Sequence, residues 1–286
     1  MASPRSTATT TDKVLRSLFA VVLLFACGSL LSAGAAPNPR AEELWRRSLV
    51  ENTTILGRNA AIKHINEALA IDDKNALYWR QKAVILASMD EHEQALPCFE
   101  KSIELNPNDS FTWNAYCTTL SNLKRYPEAL AAIDKSFKIY NDPNCRVTKS
   151  AVLMNLQRYA EAENELDIVL KSEPKNRLAR VRRPQVSSHL AHWDKIIEDS
   201  SFLISTSNSN SRSRAEVYEA RGQAYTQKKM YDKAIADYKT AIRNQPDSRQ
   251  LHKGLLATYK LKGDAAGVRS EKAEIEALDE DLRPGK

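Results

Sequence analysis

The chain has 286 residues, 42% of them hydrophobic and 27% charged, a balance that allows a buried core and excludes a fully disordered chain. Its net charge is +6, of which the first 36 residues supply +2 (Arg5, Lys13 and Arg16 against Asp12), leaving 6 − 2 = +4 for the rest. So small and scattered an excess excludes the strongly basic surface typical of nucleic-acid binding, and we expect no nucleic-acid partner.

The N-terminal region predicts a targeting segment. The stretch Ser17–Ala36 has no charged residue and follows the three basic groups. Its apolar run 18–31 has the length of a signal-peptide core, and the small residues 32–36 suit a cleavage site. The 20 uncharged residues are also just long enough for an uncleaved anchor, and Cys27 follows Leu-Phe-Ala, which resembles the lipobox of a lipoprotein.

We therefore expect residues 1–36 to be a signal peptide or a membrane anchor. The protein is then exported (periplasmic or secreted) or membrane-anchored, with the lipoprotein form as a third alternative. Any membrane contact is expected through residues 17–36, because nothing else in the chain is so uniformly apolar.

The rest of the sequence repeats with a period of about 34 residues. Units begin at residues 42, 76, 110, 143, 177, 215 and 249, and five of the six spacings are 33 or 34. Aromatic, small and proline residues recur in phase, at positions 4, 8, 11, 20, 24, 27 and 32 of the unit at 215–248: Tyr218, Gly222, Tyr225, Ala234, Tyr238, Ala241 and Pro246. The unit at 76–109 repeats this pattern with Trp79, Ala83, Leu86, Ala95, Phe99 and Pro107.

This pattern resembles that of the tetratricopeptide repeat family. The resemblance implies an all-α fold, a right-handed superhelical solenoid of helix-turn-helix hairpins, with about seven units over residues 42–282. Each unit has a helix A and a helix B, and small residues at positions 8 and 20 let these helices pack closely. Helices of about a dozen residues are unstable alone in water, so the hairpins must stack into one continuous core.

The fifth unit, from Arg177, departs most from the pattern. Pro184 replaces the small residue of helix A, and Ser200 replaces the aromatic residue of helix B. Because a proline inside a helix costs about 3 kcal/mol, we expect helix A to be interrupted and the unit to be degenerate. The Ser/Asn-rich tract 205–211 that follows predicts a hinge between residues 205 and 214.

The same unit holds the densest group of basic residues: Lys175, Arg177, Arg180, Arg182 and Arg183. A run of this kind is usually a solvated face. The alternative is a patch that grips an acidic peptide or anionic lipid head groups.

The function that the resemblance implies is a non-catalytic scaffold or adaptor. In this family the partner usually lies in a concave groove, which positions 2, 5, 9, 12 and 13 of each helix A face. Here the implied binding residues for an unidentified protein or peptide are Arg80, Asn114, Thr118, Asn122 and Asn155. Asn side chains can both donate to and accept from a peptide backbone, although a plain solvated face explains these residues equally well.

No motif predicts chemistry. The sequence has no Gly-rich phosphate loop, no HExxH and no GxSxG, and of its five histidines His189 and His192 could share a helix face without further ligands. The spacing of Cys98, Cys117 and Cys145 does not fit a metal site. We expect their side chains to be small buried hydrophobic groups, and one disulfide is the alternative. We expect no enzymatic activity, no cofactor and no metal.

Two alternatives to the adaptor remain open. One is an enzyme or enzyme subunit with a site in the groove, which a set of mutually oriented acids, bases or metal ligands would favour. The other is a self-assembling array, which an apolar patch around Ile275 and Leu278 on the last helix would favour.

Overall fold

The structure, a computed structural model, describes residues 38–206 and 211–281, and every regular element in these residues is an α-helix. The prediction of an all-α fold is therefore confirmed. No helix in the described ranges is long and apolar enough to cross a membrane. The stretch Ser17–Ala36 lies outside these residues, so the choice between signal peptide, anchor and lipoprotein stays a prediction.

The helices of the described residues form seven successive pairs, in which the odd-numbered helix is helix A and the even-numbered helix is helix B. In chain order they are α1 (Pro39–Glu51), α2 (Arg58–Ile71), α3 (Ala76–Ser88), α4 (His92–Leu105), α5 (Ser110–Asn122), α6 (Tyr126–Ile139), α7 (Pro143–Asn155), α8 (Tyr159–Ser172), α9 (Arg177–His189), α10 (Trp193–Thr206), α11 (Ser211–Gln227), α12 (Tyr231–Asn244), α13 (Arg249–Lys262) and α14 (Ala265–Asp281).

The hairpins stack in sequence order, because every helix contacts the next one along the chain. The alanine at position 20 is fully buried in five hairpins: Ala61, Ala95, Ala129, Ala162 and Ala234. A single methyl group there lets helix B approach its neighbours closely, and larger apolar side chains such as Phe99 and Leu166 fill the space between layers. The core is thus a series of hydrophobic clusters along the solenoid rather than a single central one.

The turn between helix A and helix B has one backbone conformation in hairpins two to seven. Position 15 is left-handed in each, with φ between 57° and 80°: Asp90, Lys124, Gln157, Ala191, Lys229 and Gly263. The next N–H then donates back to a carbonyl near the end of helix A, as Arg125 does to Leu120 (2.9 Å). The repeat is therefore present in the backbone even where the side chains differ.

The side chain at position 4 connects each of four hairpins to the loop before it. In each case a side-chain N–H donates, over 2.7 to 3.0 Å, to the carbonyl six residues earlier: Trp79 to Asp73, Trp113 to Pro107, Arg180 to Pro174, and His252 to Pro246. Three chemically different groups, an indole, a guanidinium and an imidazole, make the same contact. The contact needs a flat group with an N–H in the right place, and does not need a tryptophan.

The expectation of an interrupted fifth helix A is wrong. Helix α9 is continuous from Arg177 to His189, with Pro184 inside it. The lost backbone hydrogen bond is offset by packing of the buried Ala179 and Val186 and by the ion pairs of Arg183. Residues 207–210 lie outside the described part, so the hinge between 205 and 214 stays a prediction.

The expectation of a solvated basic face is also wrong for two of its residues. Arg180 and Arg183 are only 8% and 6% exposed, and both bind Asp199, which is fully buried. Arg180 donates over 2.6 Å to Asp199, and Arg183 donates to both oxygens of the same carboxylate over 2.7 and 2.8 Å. Because a guanidinium can satisfy a carboxylate through two parallel bonds, these charges are paired inside the hairpin and unavailable to a partner.

Similar pairs occur in all four C-terminal hairpins. A base at position 4 or 7 of helix A pairs with an acid at position 23 in helix B: Arg146 with Glu165 (2.6 Å), Arg183 with Asp199 (2.7 Å), Arg221 with Asp237 (2.8 Å) and His252 with Glu271 (2.9 Å). The first three hairpins have tryptophan at position 4, namely Trp45, Trp79 and Trp113. The solenoid therefore has an aromatic N-terminal part and an ionic C-terminal part.

We predict that Ala191→Gly raises the free energy of unfolding by about 1 kcal/mol, because glycine adopts the left-handed conformation without the clash of a side chain. Gly263→Ala should lower it by a similar amount at the equivalent turn, since no atom lies within 4 Å of the added methyl group and only the backbone conformation matters. Urea unfolding followed by circular dichroism measures both, and equal effects in the same direction would contradict the explanation.

We predict that Asp199→Asn lowers the free energy of unfolding by about 3 kcal/mol, since it removes the fully buried counter-ion of two buried guanidinium groups and leaves them only the more exposed Glu198 and Asp167. The control is Glu161→Gln, which removes an exposed carboxylate paired with Arg158 and should cause no measurable loss. Urea unfolding of both variants provides the comparison, and a neutral Asp199→Asn would show that the ionic core contributes little to stability.

Candidate binding groove

The A helices line one side of the solenoid. Helices α1, α3, α5, α7 and α9 contact one another in succession, as do α11 and α13, whereas no successive B helices pack in this way within residues 38–206 and 211–281. The A helices therefore lie on the inner side of the curve. We call the surface formed by positions 2, 5, 9, 12 and 13 of the A helices the groove.

Two of the five predicted binding residues, Arg80 and Asn114, connect one A helix to the next. Arg80 donates to Asp109, the N-cap of the next A helix, over 2.6 Å. Asn114 lies 3.5 Å from both the Cys145 sulfur and the Thr148 hydroxyl on α7. These polar side chains hold neighbouring A helices at a fixed spacing.

The other three predicted residues reach solvent. Asn122 is exposed at the end of α5, and its amide nitrogen lies 3.2 Å from Nε2 of His92. Thr118 and Asn155 are also exposed, and the Thr118 hydroxyl donates to the Asn114 carbonyl over 3.1 Å. The structure thus places all five residues on A helices of hairpins two to four, and whether they bind a partner stays a prediction.

The groove also has exposed apolar side chains, which were not among the predicted binding residues. Every large apolar side chain of an A helix that is clearly exposed in the described part lies at a groove position: Val50 (46%), Phe111 (54%), Leu178 (58%), Val181 (44%) and Leu261 (60%). The signal was present in the sequence, because positions 2, 5 and 9 can be read from the repeat. On the A helices these side chains lie on the groove face alone, whereas the other six exposed large apolar side chains of the described residues lie on B helices or in loops, among them Leu56, Ile71 and Ile168. The A-helix set predicts a contact surface along the groove.

The charge of the groove changes along its length. In hairpins two to five the groove positions hold one formal charge, Arg80, and Asp109 pairs with it. In hairpin six, Glu216 and Glu219 face the groove, and no cation lies within ion-pair distance of either among the side chains that the structure describes. Burial, and then the nearby Glu216 carboxylate, raise the pKa of Glu219. The middle of the groove is thus neutral, and its sixth hairpin is acidic.

A second cluster of ionisable groups lies where hairpins four and five meet. The buried Glu163 accepts hydrogen bonds from Ser187 (2.5 Å), His192 (2.8 Å) and Lys195 (2.8 Å). Burial favours the neutral acid, but these three donors outweigh it and hold the pKa of Glu163 below its ordinary value. All three donors bind the one buried carboxylate, so this cluster acts as a structural junction.

The two histidines that could share a helix face have separate roles. His192 faces Glu163, whereas the His189 ring stacks on Tyr159 with 4.0 Å between ring centroids. No group of three potential ligands in the described ranges is arranged to hold a metal ion. Cys98, Cys117 and Cys145 are buried free thiols, and burial raises the pKa of Cys117 to about 12.

Comparison with known proteins supports the same class. The family model for the tetratricopeptide repeat matches residues 76–109 and 215–248, and a second model of that repeat matches 98–131. No curated protein sequence matches the chain at a significant level.

Several solved structures share the fold. PilF from Pseudomonas aeruginosa is 15% identical with a TM-score of 0.62, and the match covers 74% of this chain and 97% of that one. A tetratricopeptide repeat protein from Parabacteroides merdae is 17% identical (TM-score 0.56; 87% and 93% covered), and MamA from Desulfovibrio magneticus is 19% identical (TM-score 0.56; 60% and 96% covered). At these identities the likeness shows the fold alone.

The fold and the groove define a helical-repeat protein of the kind that holds other proteins. The repeat period, the stacked hairpins and the family-model matches over residues 76–131 and 215–248 support assignment to the tetratricopeptide repeat family. Proteins of this family are in general non-catalytic scaffolds for protein–protein interaction.

We predict that stability falls as the pH drops below about 4.5, the ordinary pKa of Glu163, because its lowered folded-state pKa gives stabilisation that is lost on protonation. Glu163→Gln should therefore show a shallower loss of unfolding free energy between pH 5 and about pH 3. The control Glu276→Gln changes an exposed carboxylate and should keep the wild-type slope. Urea titrations at each pH measure this, and identical slopes for all three proteins would exclude the assigned role.

Proposed function

We propose that the protein is an adaptor that holds an extended segment of a partner protein in the groove of hairpins two to five. The observation that carries this proposal is the confinement of exposed large apolar side chains on A helices to groove positions. Phe111, Leu178 and Val181 would make the apolar contacts. Thr118, Asn122 and Asn155 would hydrogen-bond the backbone of the segment.

The energetics favour a modest but specific affinity. Burying the exposed half of three such side chains contributes about 1 kcal/mol each, by the usual relation between apolar area and transfer free energy. Because the A helices are already fixed by contacts such as Arg80 with Asp109, binding orders little of the adaptor. The partner segment bears most of the ordering cost, which suits a transient or regulated contact.

Neither alternative function has an observation that favours it. The buried acids and bases of the C-terminal hairpins pair with one another, and among the described side chains the groove carboxylates Glu216 and Glu219 have no base within ion-pair distance. Ile275 and Leu278 are half-buried, and the residues exposed around them on α14, such as Glu274 and Ala277, form no large apolar patch. The adaptor is therefore the function that the geometry supports best.

We also propose that the protein works outside the cytosol. The support is the charge-free stretch Ser17–Ala36 after three basic residues, followed closely by the first helix at Pro39. Cell fractionation with N-terminal sequencing should find a new N-terminus near Pro37, an intact anchor in the membrane fraction, or a lipidated Cys27. An intact Met1 in the cytosolic fraction would contradict all three forms.

We predict that Leu178→Asp combined with Val181→Asp abolishes capture of the physiological partner, because two charges would be buried without counter-ions. The matched control is Ile71→Asp with Ile168→Asp, which changes two exposed side chains of B helices, 43% and 39% exposed, and should leave capture intact. Quantitative cross-linking in cells identifies proteins that the groove variant loses and the control keeps.

The Asn122→Ala and Asn155→Ala pair should weaken capture of the same proteins roughly tenfold, since each lost hydrogen bond costs about 0.5–1.5 kcal/mol. If all three variants capture the same proteins as the wild type, the groove is not the binding surface.

A further inference from the structure

The turn of hairpin one differs from the turns of hairpins two to six. Helix α1 ends at Glu51 and α2 begins at Arg58, so six residues connect them, whereas three residues connect helix A to helix B in hairpins two to six. Ile55 and Leu56 of this longer turn are 79% and 94% exposed, more than any other large apolar side chain of the described residues. We call these two side chains the knob.

Hydrogen bonds hold the loop that carries the knob in a defined shape. The Ser88 hydroxyl of hairpin two donates to the Asn52 side chain over 3.0 Å, and the Gly57 N–H donates to the Thr54 hydroxyl over 3.1 Å. A side chain at Gly57 would clash with the Glu51 carbonyl, so the loop also requires glycine at this place. Two adjacent apolar side chains that a fixed loop presents to solvent predict a contact surface.

A cleft of about 370 Å³ lies between α2, α3 and α4, beside the knob. Four apolar side chains line it: Ile62, Leu86, Met89 and Cys98. The cleft and the knob are neighbours on one edge of the solenoid, because Met89 directly follows Ser88, which bonds the knob loop. The cleft is as large as pockets that hold small ligands, so it has room for aliphatic side chains, yet the knob of the same chain stays outside it.

The charges beside the knob and the cleft are complementary. Arg58 follows the knob loop, and neither a carboxylate nor any other acceptor of the described residues binds its guanidinium, whose Nε is buried. Glu91 lines the cleft, and no base of the described residues lies within ion-pair distance of its carboxylate. The cation of the cleft, Lys82, lies over the Trp79 ring at 5.7 Å. A guanidinium and a carboxylate that both lack a partner within one chain can pair across an interface.

We propose that two copies of the chain form a twofold dimer, in which the knob of each copy enters the cleft of the other and Arg58 of each copy pairs with Glu91 of the other. Because knob and cleft are adjacent, one twofold rotation makes both contacts at once, and the pair is closed rather than an end-to-end array. Only two loops and two clefts meet, so we expect a transient dimer of about micromolar affinity. The contact leaves the groove of hairpins two to five open, so it is separate from the proposed function.

The test cross-links two differently tagged full chains in cells that express both. One chain carries Leu56→Cys, and the other carries Gln94→Cys, which replaces an exposed residue at the cleft. A short bismaleimide joins the two introduced thiols, since Cys98, Cys117 and Cys145 are buried, and chains without the introduced cysteines give the background from Cys27. One complete knob and cleft contact remains in this pair, so we expect a product that carries both tags.

Two comparisons make the test specific. Ile168→Cys in place of Leu56→Cys moves the thiol to an exposed apolar position of a B helix, and it should give at least fivefold less product. Arg58→Glu in the Leu56→Cys chain should lower the yield at least threefold, because it places two carboxylates together. Adding Glu91→Arg to the Gln94→Cys chain should restore the yield, since the two charges are then exchanged. Neither residue has an ion-pair partner among the described side chains, so these changes leave the packing of the solenoid intact.

Three results would overturn the proposal. One is an equal yield of double-tagged product from Leu56→Cys and Ile168→Cys, which would show random collision. Another is the absence of rescue by the charge exchange. The third is a Leu56→Cys chain that cross-links to a different protein and not to the second copy, which would show that the knob has another partner. The groove change Leu178→Asp with Val181→Asp should leave the double-tagged yield unchanged, so loss of a partner in the capture experiment bears on the proposed function alone.

Discussion

The contact on which the solenoid most depends is the hydrogen bond from the position 4 side chain to the loop carbonyl six residues earlier. This carbonyl lies in the loop that connects one hairpin to the next, so the bond fixes where helix A begins in hairpins two, three, five and seven. Trp113 makes it to Pro107, and Arg180 makes it to Pro174, with nearly equal lengths of 2.9 and 2.8 Å. Because the loop carbonyl would otherwise be only partly satisfied, the contact also meets a backbone requirement.

Replacing an indole by a guanidinium at this place has a physical consequence. An indole brings no charge into the hairpin, whereas a buried guanidinium needs a counter-ion within the same layer. Position 23 of helix B faces position 4 of helix A. Hairpins two and three, which have tryptophan at position 4, have Cys98 and Ala132 at position 23, whereas hairpins five and seven, which have a base at position 4, have Asp199 and Glu271. The acid is thus the partner that makes the basic substitution tolerable.

This coupling explains why the fifth hairpin is regular in structure although its sequence is the most divergent. Arg180 makes the loop contact, Asp199 neutralises it, and the cation also lies over the Phe202 ring at 4.4 Å. The buried Ser200 leaves room for this network, where hairpins two and six have the larger Phe99 and Tyr238. Within such a framework the proline of α9 removes one hydrogen bond without breaking the helix.

How much of this could be predicted from the sequence depends on whether a feature is local to the repeat. The period predicted the hairpins and the fully buried Ala95 and Ala129, since position in the repeat alone determines their surroundings. It could not predict that Arg183 turns inward, because an inward or a solvated position depends on the placement of Asp199 sixteen residues later. A search for acids 16 or 19 residues after each base would have found the pattern.

The groove residues were also only partly predictable from the sequence. The polar groove residues could be predicted from the sequence because Asn and Arg side chains are typical of binding sites. In the structure, however, Arg80 hydrogen-bonds Asp109, and Asn114 hydrogen-bonds residues of α7. The exposed Leu178 and Val181, which stand within the basic stretch of sequence, have no such internal role. The polar row therefore fixes the spacing of the A helices, and the apolar row presents contact area at that spacing. A pre-formed apolar surface of this kind binds by removing water rather than by adding charge, so its selectivity must come from excluding charged segments.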